Sequence, residues 1–342
     1  VVAYRQSARE GQIGLTTEIS ALVTVLSGAL CYLGHIPLAF ALAVASLALL
    51  SFKTEMHRFA RSVTQEDIYA SLQFAVVTAI VLPLLPREGL GQPPFDVLNP
   101  YKVWLMVVLI SGMSFAGYIL VKIAGPKRGI ILTGLLGGLA SSTAVTLGLT
   151  QRSRDAEKLA KAFALAIMLA WTVMFVRLVV AVGVLNWTLA QHLLLPVGAS
   201  LFVGLGYCGF LFSQRSASGE DVQLANPFGL GPALKFGLLY AVILIVARLA
   251  ETYLGDAGLY LSSAVAGLAD ADAISLSVAE LQLLPEGPSM GVATRSVVLA
   301  AMANTATKGT IVLLSGSKEL RRALAPGFVL MLVVGLGVSF VV

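Results

Sequence analysis

Two aspartates lie two positions apart in a stretch of the sequence that is otherwise apolar. Asp270 and Asp272 belong to Gly-Leu-Ala-Asp-Ala-Asp-Ala-Ile-Ser-Leu, residues 267–276. A charged side chain at the centre of a bilayer costs about 2.5–3.5 kcal/mol on insertion scales, so such residues usually line a polar cavity, form a pair or bind an ion. Hard divalent cations prefer oxygen ligands such as carboxylates. The two aspartates therefore predict a metal cation site, and a structural ion pair with a neighbouring cation is the alternative.

A similar stretch lies 129 positions earlier (267 − 138). Residues 138–147 read Gly-Leu-Ala-Ser-Ser-Thr-Ala-Val-Thr-Leu. Ser141, Ser142 and Thr143 occupy the positions that correspond to the acidic run. Their hydroxyls would add neutral oxygen ligands to an ion site or would cap the end of a broken helix. In the alternative reading they bond back to the backbone of their own helix, as hydroxyls in membrane helices commonly do.

Each of these motifs is followed by an apolar segment that carries one basic residue well inside the segment, which we call its deep cation. Arg177 follows the first motif and Lys308 follows the second, 131 positions later (308 − 177). We predict that one of them is the counter-charge that neutralises an aspartate when no ion is bound. Asn304 lies four residues before Lys308, so the two share a helix face, and Asn304 joins the predicted ion-binding set. Lys308 is also close enough to its helix end to extend to the cytoplasmic interface instead.

The composition indicates the class of protein that must position these side chains. The chain has 342 residues, of which 57% are hydrophobic and only 12% are charged, and its mean hydropathy is +0.88. Soluble domains carry about 25% charged residues. Continuous apolar stretches of about 20 residues recur along the sequence, which predicts an all-α polytopic membrane protein with about 9–11 hydrophobic segments. We expect a multi-pass protein of the cell inner (plasma) membrane, in contact with the lipid bilayer.

The positive charge of the chain is typical of membrane topology and does not require a nucleic acid partner. The net charge is +5, and Lys and Arg gather in a few short loops, as the positive-inside rule describes. The sequence contains no nucleotide-binding loop, no His-Glu-x-x-His and no Gly-x-Ser-x-Gly. We therefore expect that the protein is not an enzyme and has no cofactor.

The similarity of the two halves extends beyond the motifs. Asn99-Pro100 begins one apolar segment and Asn226-Pro227 begins another, each about 40 residues before its motif. Internal repeats are a common construction of transporters, although similarity in an apolar chain can also arise by chance. We predict N-terminal helical segments over residues 1–67 and a membrane domain with two inverted repeats over residues 68–342.

The motif segments either cross the membrane as broken helices or double back as re-entrant hairpins. If every segment crosses, loop 151–161 lies outside, and nine of the sixteen loop Lys and Arg residues lie inside. If residues 129–150 and 258–280 are re-entrant, fourteen of the sixteen lie inside. The positive-inside rule favours the re-entrant arrangement, and the shortness of each segment favours a broken helix that spans the membrane.

Several stretches of this sequence resemble MgtC/SapB-type membrane proteins, in the subgroup with a long C-terminal membrane domain of unassigned function. The resemblance extends from about Gly14 to Gly316 and is carried by Gly14–Ile19, Leu132–Ala144, Gly255–Tyr260, Gly267–Ile274 and Ala303–Thr305. It implies a link to magnesium homeostasis, with a role either in transport or in the regulation of other membrane proteins. The acidic and arginine-containing N-terminal signature of the family is not seen in this chain.

These observations lead to one principal hypothesis and two alternatives. The principal hypothesis is a transporter of a divalent cation, magnesium or a transition metal, bound at mid-membrane on broken helices. The alternatives are a regulator or assembly subunit without flux, and a channel. Glycine-rich helix faces such as residues 204–209 permit a homodimer.

Overall fold

The structure is a computed structural model that describes residues 15–51, 64–91, 95–124, 129–214 and 230–340. Contacts divide the chain into a first unit that ends at Val63 and a second that begins at Thr64. All regular structure among the described residues is helical, with no strand. The prediction of an all-α fold is therefore confirmed. The predicted boundary after residue 67 stays a prediction.

The described part of the first unit is a pair of apolar helices. Helix α1 spans Leu15–Tyr32 and α2 spans Ile36–Ser51, and the two pack against each other. Gly34 lies between them with φ of +80°, a left-handed conformation that glycine adopts at little cost. This residue allows the chain to leave α1 and begin α2 within three residues. Residues 1–14 and 52–63 of the N-terminal segments that we predicted lie outside the described residues.

The second unit contains the long helices. They are α3 (Gln65–Val76), α4 (Pro100–Ala124), α5 (Ile130–Arg152), α6 (Ala160–Leu185), α7 (Trp187–Ser213), α8 (Leu230–Ala269), α9 (Ala271–Gln282), α10 (Met290–Ser315) and α11 (Lys318–Ser339). Within the described residues, seven helices are long and apolar enough to cross a membrane, namely α4 to α8, α10 and α11. Large apolar side chains such as Val176, Val180 and Val184 lie exposed along the outer face of α6. The protein is therefore a multi-pass membrane protein whose outer helix faces contact lipid.

Helix α6 is the central element of this unit. It packs against α5, α7, α9 and α11, and its side chains Phe163, Trp171 and Phe175 are fully buried. Trp171 meets Phe328 of α11 edge to face, with the ring centroids 5.9 Å apart. Because α6 is enclosed on most sides, a charged residue on its inner face must find its partners inside the protein.

Both motif segments are broken, as predicted. Ser141 is an extended residue within α5 (φ −165°, ψ 103°), and Asp270 is an extended residue between α8 and α9 (φ −154°, ψ 115°). Each side chain accepts a hydrogen bond from a backbone N–H three residues later. Ser141 Oγ accepts from Ala144 at 3.2 Å, and Asp270 Oδ1 accepts from Ala273 at 2.9 Å. The polar residue at each break is thus the N-cap of the half-helix that follows.

Helix α5 turns back at its break. Gly138 packs directly on Ala170 of α6, where an added Cβ would lie 2.7 Å from Ala170 Cα. Thr146 accepts a hydrogen bond from Trp171 Nε1 at 2.9 Å. A straight helix would advance about 12 Å between residues 138 and 146, yet their partners on α6 are adjacent residues. The contacts therefore favour a hairpin at Ser141 over a straight crossing of the membrane.

Helix α8 contains a turn of its own before the second motif. Gly255 has φ of +59°, and a Cβ added at Gly258 would lie 2.0 Å from the carbonyl oxygen of Ala250. The chain thus folds back on itself at Gly255. After this turn, Gly267 packs on α10, where an added Cβ would lie 2.5 Å from Ala300 O. This contact resembles that of Gly138 in α5.

The ends of several helices meet at one face of the second unit, which we call the basic face. The loop after α5 contacts the connection between α10 and α11: Ser317 N donates to Ser153 Oγ at 2.9 Å, and Arg154 Nε donates to Ser315 O at 2.7 Å. Residues 151–161 and 315–323 therefore lie on the same side. The alternative in which every segment crosses required them on opposite sides, so that alternative is wrong.

A second set of contacts defines the opposite face. Asn186, between α6 and α7, donates to Gln282 Oε1 at the end of α9 at 2.6 Å. Lys102, at the start of α4, pairs with Glu280 of α9 at 2.5 Å. Helix α9 therefore runs from the break at Asp270 to this opposite face. The half of α5 that follows Ser141 runs to the basic face. Whether these two directions reflect inverted repeats stays a prediction.

Candidate functional site

A polar cavity lies between the two helix breaks. Its volume is about 180 Å³, and its walls come from α4, α5, α6, α10 and the junction of α8 with α9. All of the candidate site residues predicted from the sequence line it: Ser141, Ser142, Thr143, Arg177, Asp270, Asp272, Asn304 and Lys308. The structure thus brings together residues from both halves of the chain. Their roles as ion ligands or counter-charges stay predictions.

Six residues that the sequence did not single out also line the cavity, and two of them lie on α4. They are Ile110 and Ser114. A serine within an apolar helix is common, so Ser114 gave no signal in the sequence. Its place in the cavity follows only from the packing of α4 against α5.

Asp272 is held in an ion pair with Arg177. A terminal nitrogen of the Arg177 guanidinium contacts Asp272 Oδ2, and both side chains are largely buried. The other terminal nitrogen donates to Leu139 O at 3.2 Å. Within the described residues, Asp272 Oδ1 has no hydrogen-bond partner. Arg177 thus faces the interior, and the Asp272 carboxylate keeps one oxygen for another ligand.

Lys308 is buried in the same cavity. Only 2% of its surface is exposed. Its Nζ donates to Ser142 Oγ at 2.8 Å and lies 2.7 Å from Met174 Sδ. The alternative in which Lys308 extends to the membrane interface is therefore wrong. Lys308 lies on the face of α10 that is turned towards α5 and α6, away from the lipid.

Each deep cation contacts the motif of the other half of the chain. Arg177 follows the first motif but pairs with Asp272 of the second. Lys308 follows the second motif but donates to Ser142 of the first. These reciprocal contacts connect the two breaks across the cavity. A change in either pair would therefore affect both halves.

Side chains also satisfy the backbone carbonyls that the breaks leave free. In the first half, Leu139 O accepts from Arg177. In the second half, Gly267 O accepts from Asn304 Nδ2 at 3.1 Å, and Leu268 O accepts from Thr307 Oγ1 at 3.1 Å. Helix ends leave such carbonyls without intrahelical partners. The carbonyl of the first half is therefore held by a cation, and those of the second half are held by neutral groups.

The charges that line the cavity balance. Asp270 and Asp272 carry two negative charges when ionised, and Arg177 and Lys308 carry two positive charges. The half-helices that begin after Ser141 and Asp270 add the partial positive charge of their N-termini. A cation that enters this cavity must therefore replace positive charge that is already present.

The ligand atoms available in the cavity are mainly oxygens. The cavity has no His or Cys in its lining. Among the described residues, no group of three or more His, Cys, Asp or Glu is arranged to hold a metal ion. Two carboxylates, hydroxyls, an amide and backbone carbonyls form a mixed oxygen set of the kind that hard cations accept.

The helices and the buried polar cavity define a multi-pass helical membrane protein with a charged site at two helix breaks. The chain belongs to the family described as "Domain of unknown function (DUF4010)", whose model matches residues 108–316. Residues 1–59 match the MgtC family. These two matches confirm the predicted resemblance to MgtC-type proteins with a C-terminal domain of unassigned function.

One relative with similar sequence is an "Uncharacterized protein" of Aquifex aeolicus (strain VF5). It is 33% identical over 195 residues, which are 56% of this chain and 84% of the relative. No solved structure matches this chain.

Proposed function

We propose that this protein is a secondary transporter of a hard cation, with Mg²⁺ as the first candidate, in the cell inner membrane. One observation carries the proposal: two aspartates, the buried Asp272 and the partly buried Asp270, meet two helix breaks at one cavity inside a bundle of membrane helices. Buried carboxylates within membrane segments are costly and usually mark an ion path. The proposal assigns the protein no enzymatic reaction and no resident cofactor.

The two aspartates would be the principal ligands of the cation. Asp272 offers Oδ1, which is buried without a partner among the described residues. Asp270 offers the oxygen that does not cap α9. Ser141, Ser142, Thr143 and Asn304 would add neutral oxygens, and Arg177 and Lys308 would supply the counter-charge in the absence of the cation.

The composition of the site favours a hard cation over a transition metal. Co²⁺ and Zn²⁺ are usually held by imidazole or thiolate ligands in addition to carboxylates, and the cavity offers neither. The sulfur atom in its lining, Met174 Sδ, lies against Lys308 Nζ at 2.7 Å. Mg²⁺ keeps several waters and is commonly bound through one or two carboxylates. The match of residues 1–59 to the MgtC family, which suggests a link to Mg²⁺ transport or to regulation, also supports magnesium.

The transport cycle would use two inverted repeats. Transporters of this construction bind their substrate near mid-membrane on discontinuous helices and expose it to one side at a time. The half-helix after Ser141 runs to the basic face and α9 runs to the opposite face, which supports this arrangement. The basic face would be cytoplasmic under the positive-inside rule.

Cation flux into proteoliposomes tests the proposal. We would compare the wild type with Asp270→Asn/Asp272→Asn across Mg²⁺, Mn²⁺, Co²⁺, Zn²⁺ and Na⁺. The matched control is Asp155→Asn/Glu286→Gln, which removes two exposed carboxylates outside the cavity. We expect saturable Mg²⁺ flux that is lost in the first double variant and kept in the control. Flux that does not saturate would indicate a channel.

A regulator or assembly subunit without flux is the second candidate. The observation in its favour is the pairing of Asp272 with Arg177, which would also stabilise a static structure. In this case the folded protein would give no flux for any cation. A homodimer is compatible with both candidates. Gly204 packs internally against Thr172 and Met331, whereas a Cβ added at Gly206 or Gly209 would meet no described atom outside its own helix within 4 Å.

A further inference from the structure

The guanidinium of Arg177 makes two contacts that a small cation could also make. One terminal nitrogen contacts the carboxylate of Asp272, and the other donates to Leu139 O at 3.2 Å. The first partner belongs to the second motif, and the second is the free carbonyl at the end of the first half of α5. A carboxylate oxygen and a backbone carbonyl at a helix break are typical ligands of transported cations.

Lys308, the other cation of the cavity, occupies a different position. It contacts the Ser142 hydroxyl and the Met174 thioether, and the ion pairs found among the described residues do not include it. Removal of Lys308 would therefore not free a carboxylate oxygen. Of these two basic residues, Arg177 is the one that forms an ion pair with a carboxylate in the cavity.

We propose that the Arg177 guanidinium stands in the cation's own position, and that the cation binds between Asp272 and Leu139 O only after Arg177 has withdrawn. This inference rests on the proposed function and adds two features to it. The Leu139 carbonyl becomes a ligand of the cation. Arg177 becomes a group of the protein itself that competes with the cation for this position. Each cation that binds then displaces one positive charge, so the cavity never holds its two carboxylates without compensation.

Competition of this kind has a measurable consequence. When a binding-competent state is only fractionally populated, the apparent affinity falls by that fraction. If Arg177 occupies the site about nine-tenths of the time, its removal raises the cation affinity about tenfold. Release should slow at the same time, because Arg177 no longer re-enters to displace the cation. An arginine that acted only through its charge would give tighter binding in Arg177→Gln but not in Arg177→Lys, which keeps the charge.

The test compares the wild type with Arg177→Gln and Arg177→Lys. Mg²⁺ binding to purified protein is measured by isothermal titration and by the shift of the thermal unfolding temperature with Mg²⁺. Arg295→Gln is the control, because Arg295 donates to Ser339 O at the opposite face, outside the cavity. We expect about tenfold tighter binding and slower flux for Arg177→Gln, and no change for the control.

The Arg177→Lys variant keeps the inference testable if Arg177→Gln does not fold. An ammonium can pair with Asp272 but lacks the planar fork that also reaches a second acceptor. We therefore expect tighter binding than in the wild type, with a smaller gain than for Arg177→Gln. Unchanged or weaker Mg²⁺ binding in folded Arg177 variants, with binding intact in the wild type, would overturn the inference. Absence of both binding and flux in the wild type would instead remove the proposed function, and this inference with it.

Discussion

Ser141 and Asp270 occupy corresponding positions in the two halves of the membrane unit, 129 residues apart (270 − 141). Each is an extended residue at a helix break, and each side chain caps the half-helix that follows. One is neutral and the other is acidic. The same local geometry therefore delivers a hydroxyl to one side of the cavity and a carboxylate to the other.

The capping role and the ion-binding role of Asp270 can be separated by two substitutions. Asparagine is as good an N-cap as aspartate, whereas alanine at this position costs about 1 kcal/mol. We expect Asp270→Asn to keep the unfolding temperature in detergent and to lose Mg²⁺ binding. Asp270→Ala should lose both. If Asp270→Asn binds Mg²⁺ like the wild type, Asp270 is a cap only.

Replacement of Ser141 tests whether the first break needs its cap. Ser141→Ala removes the acceptor for Ala144 N–H and should destabilise the protein by about 0.5–2 kcal/mol. The control is Thr310→Ala, since Thr310 is exposed and its hydroxyl, among the described residues, bonds to Ala306 O in its own helix. Thermal unfolding in the same detergent would show the difference. Equal stability of both variants would contradict a structural role for the cap.

The glycines beside the breaks should not tolerate a methyl group. Gly138 lies against Ala170 and Gly267 against Ala300, with less than 3 Å for an added Cβ. Overpacking of this kind typically costs about 1–3 kcal/mol. We expect lower unfolding temperatures for Gly138→Ala and Gly267→Ala. The matched control is Gly148→Ala, because a Cβ added at Gly148 would meet no described atom outside its own helix within 4 Å. The stability of this variant should not fall.

The Arg177–Asp272 pair should show strong energetic coupling. Removal of one partner of a buried ion pair typically costs about 3–5 kcal/mol, because a charge is left uncompensated. We therefore expect Arg177→Gln and Asp272→Asn each to destabilise the protein, and the double variant to lose much less than the sum. Denaturant unfolding of the four proteins completes the cycle. Additive losses would contradict a direct interaction.

Topology can be tested by cysteine labelling from each side of the membrane. In a Cys31→Ser/Cys208→Ser background, Lys158→Cys and Lys318→Cys should react with an impermeant thiol reagent only from the cytoplasmic side. Glu286→Cys, in the loop between α9 and α10, should react only from the other side. Labelling of Lys158→Cys and Lys318→Cys from opposite sides would contradict the hairpin in α5.

The sequence by itself determined the class of protein and the composition of the site. Hydropathy and charge are local properties, so the helical membrane fold was evident without tertiary contacts. The breaks at Ser141 and Asp270 were also predictable, because Ser, Thr and Asp are poorer interior helix formers than Ala or Leu and are good N-caps. The polar residues that were predicted from the two halves all line the cavity. Polar side chains inside a membrane protein are costly to expose to lipid, so they gather in a shared polar cavity.

Only the tertiary structure decided which groups meet. Arg177 and Asp272 are 95 residues apart, and Lys308 and Ser142 are 166 residues apart. Such pairs depend on which helices pack together and on the rotation of each helix, and no local pattern encodes that. The contact of the Leu139 carbonyl with Arg177 could not be predicted from the sequence, because every residue has a backbone carbonyl. The face of the unit on which loop 151–161 lies was likewise decided by the contacts of Ser153 and Arg154. The hairpin in α5 places both ends of that helix at the same face.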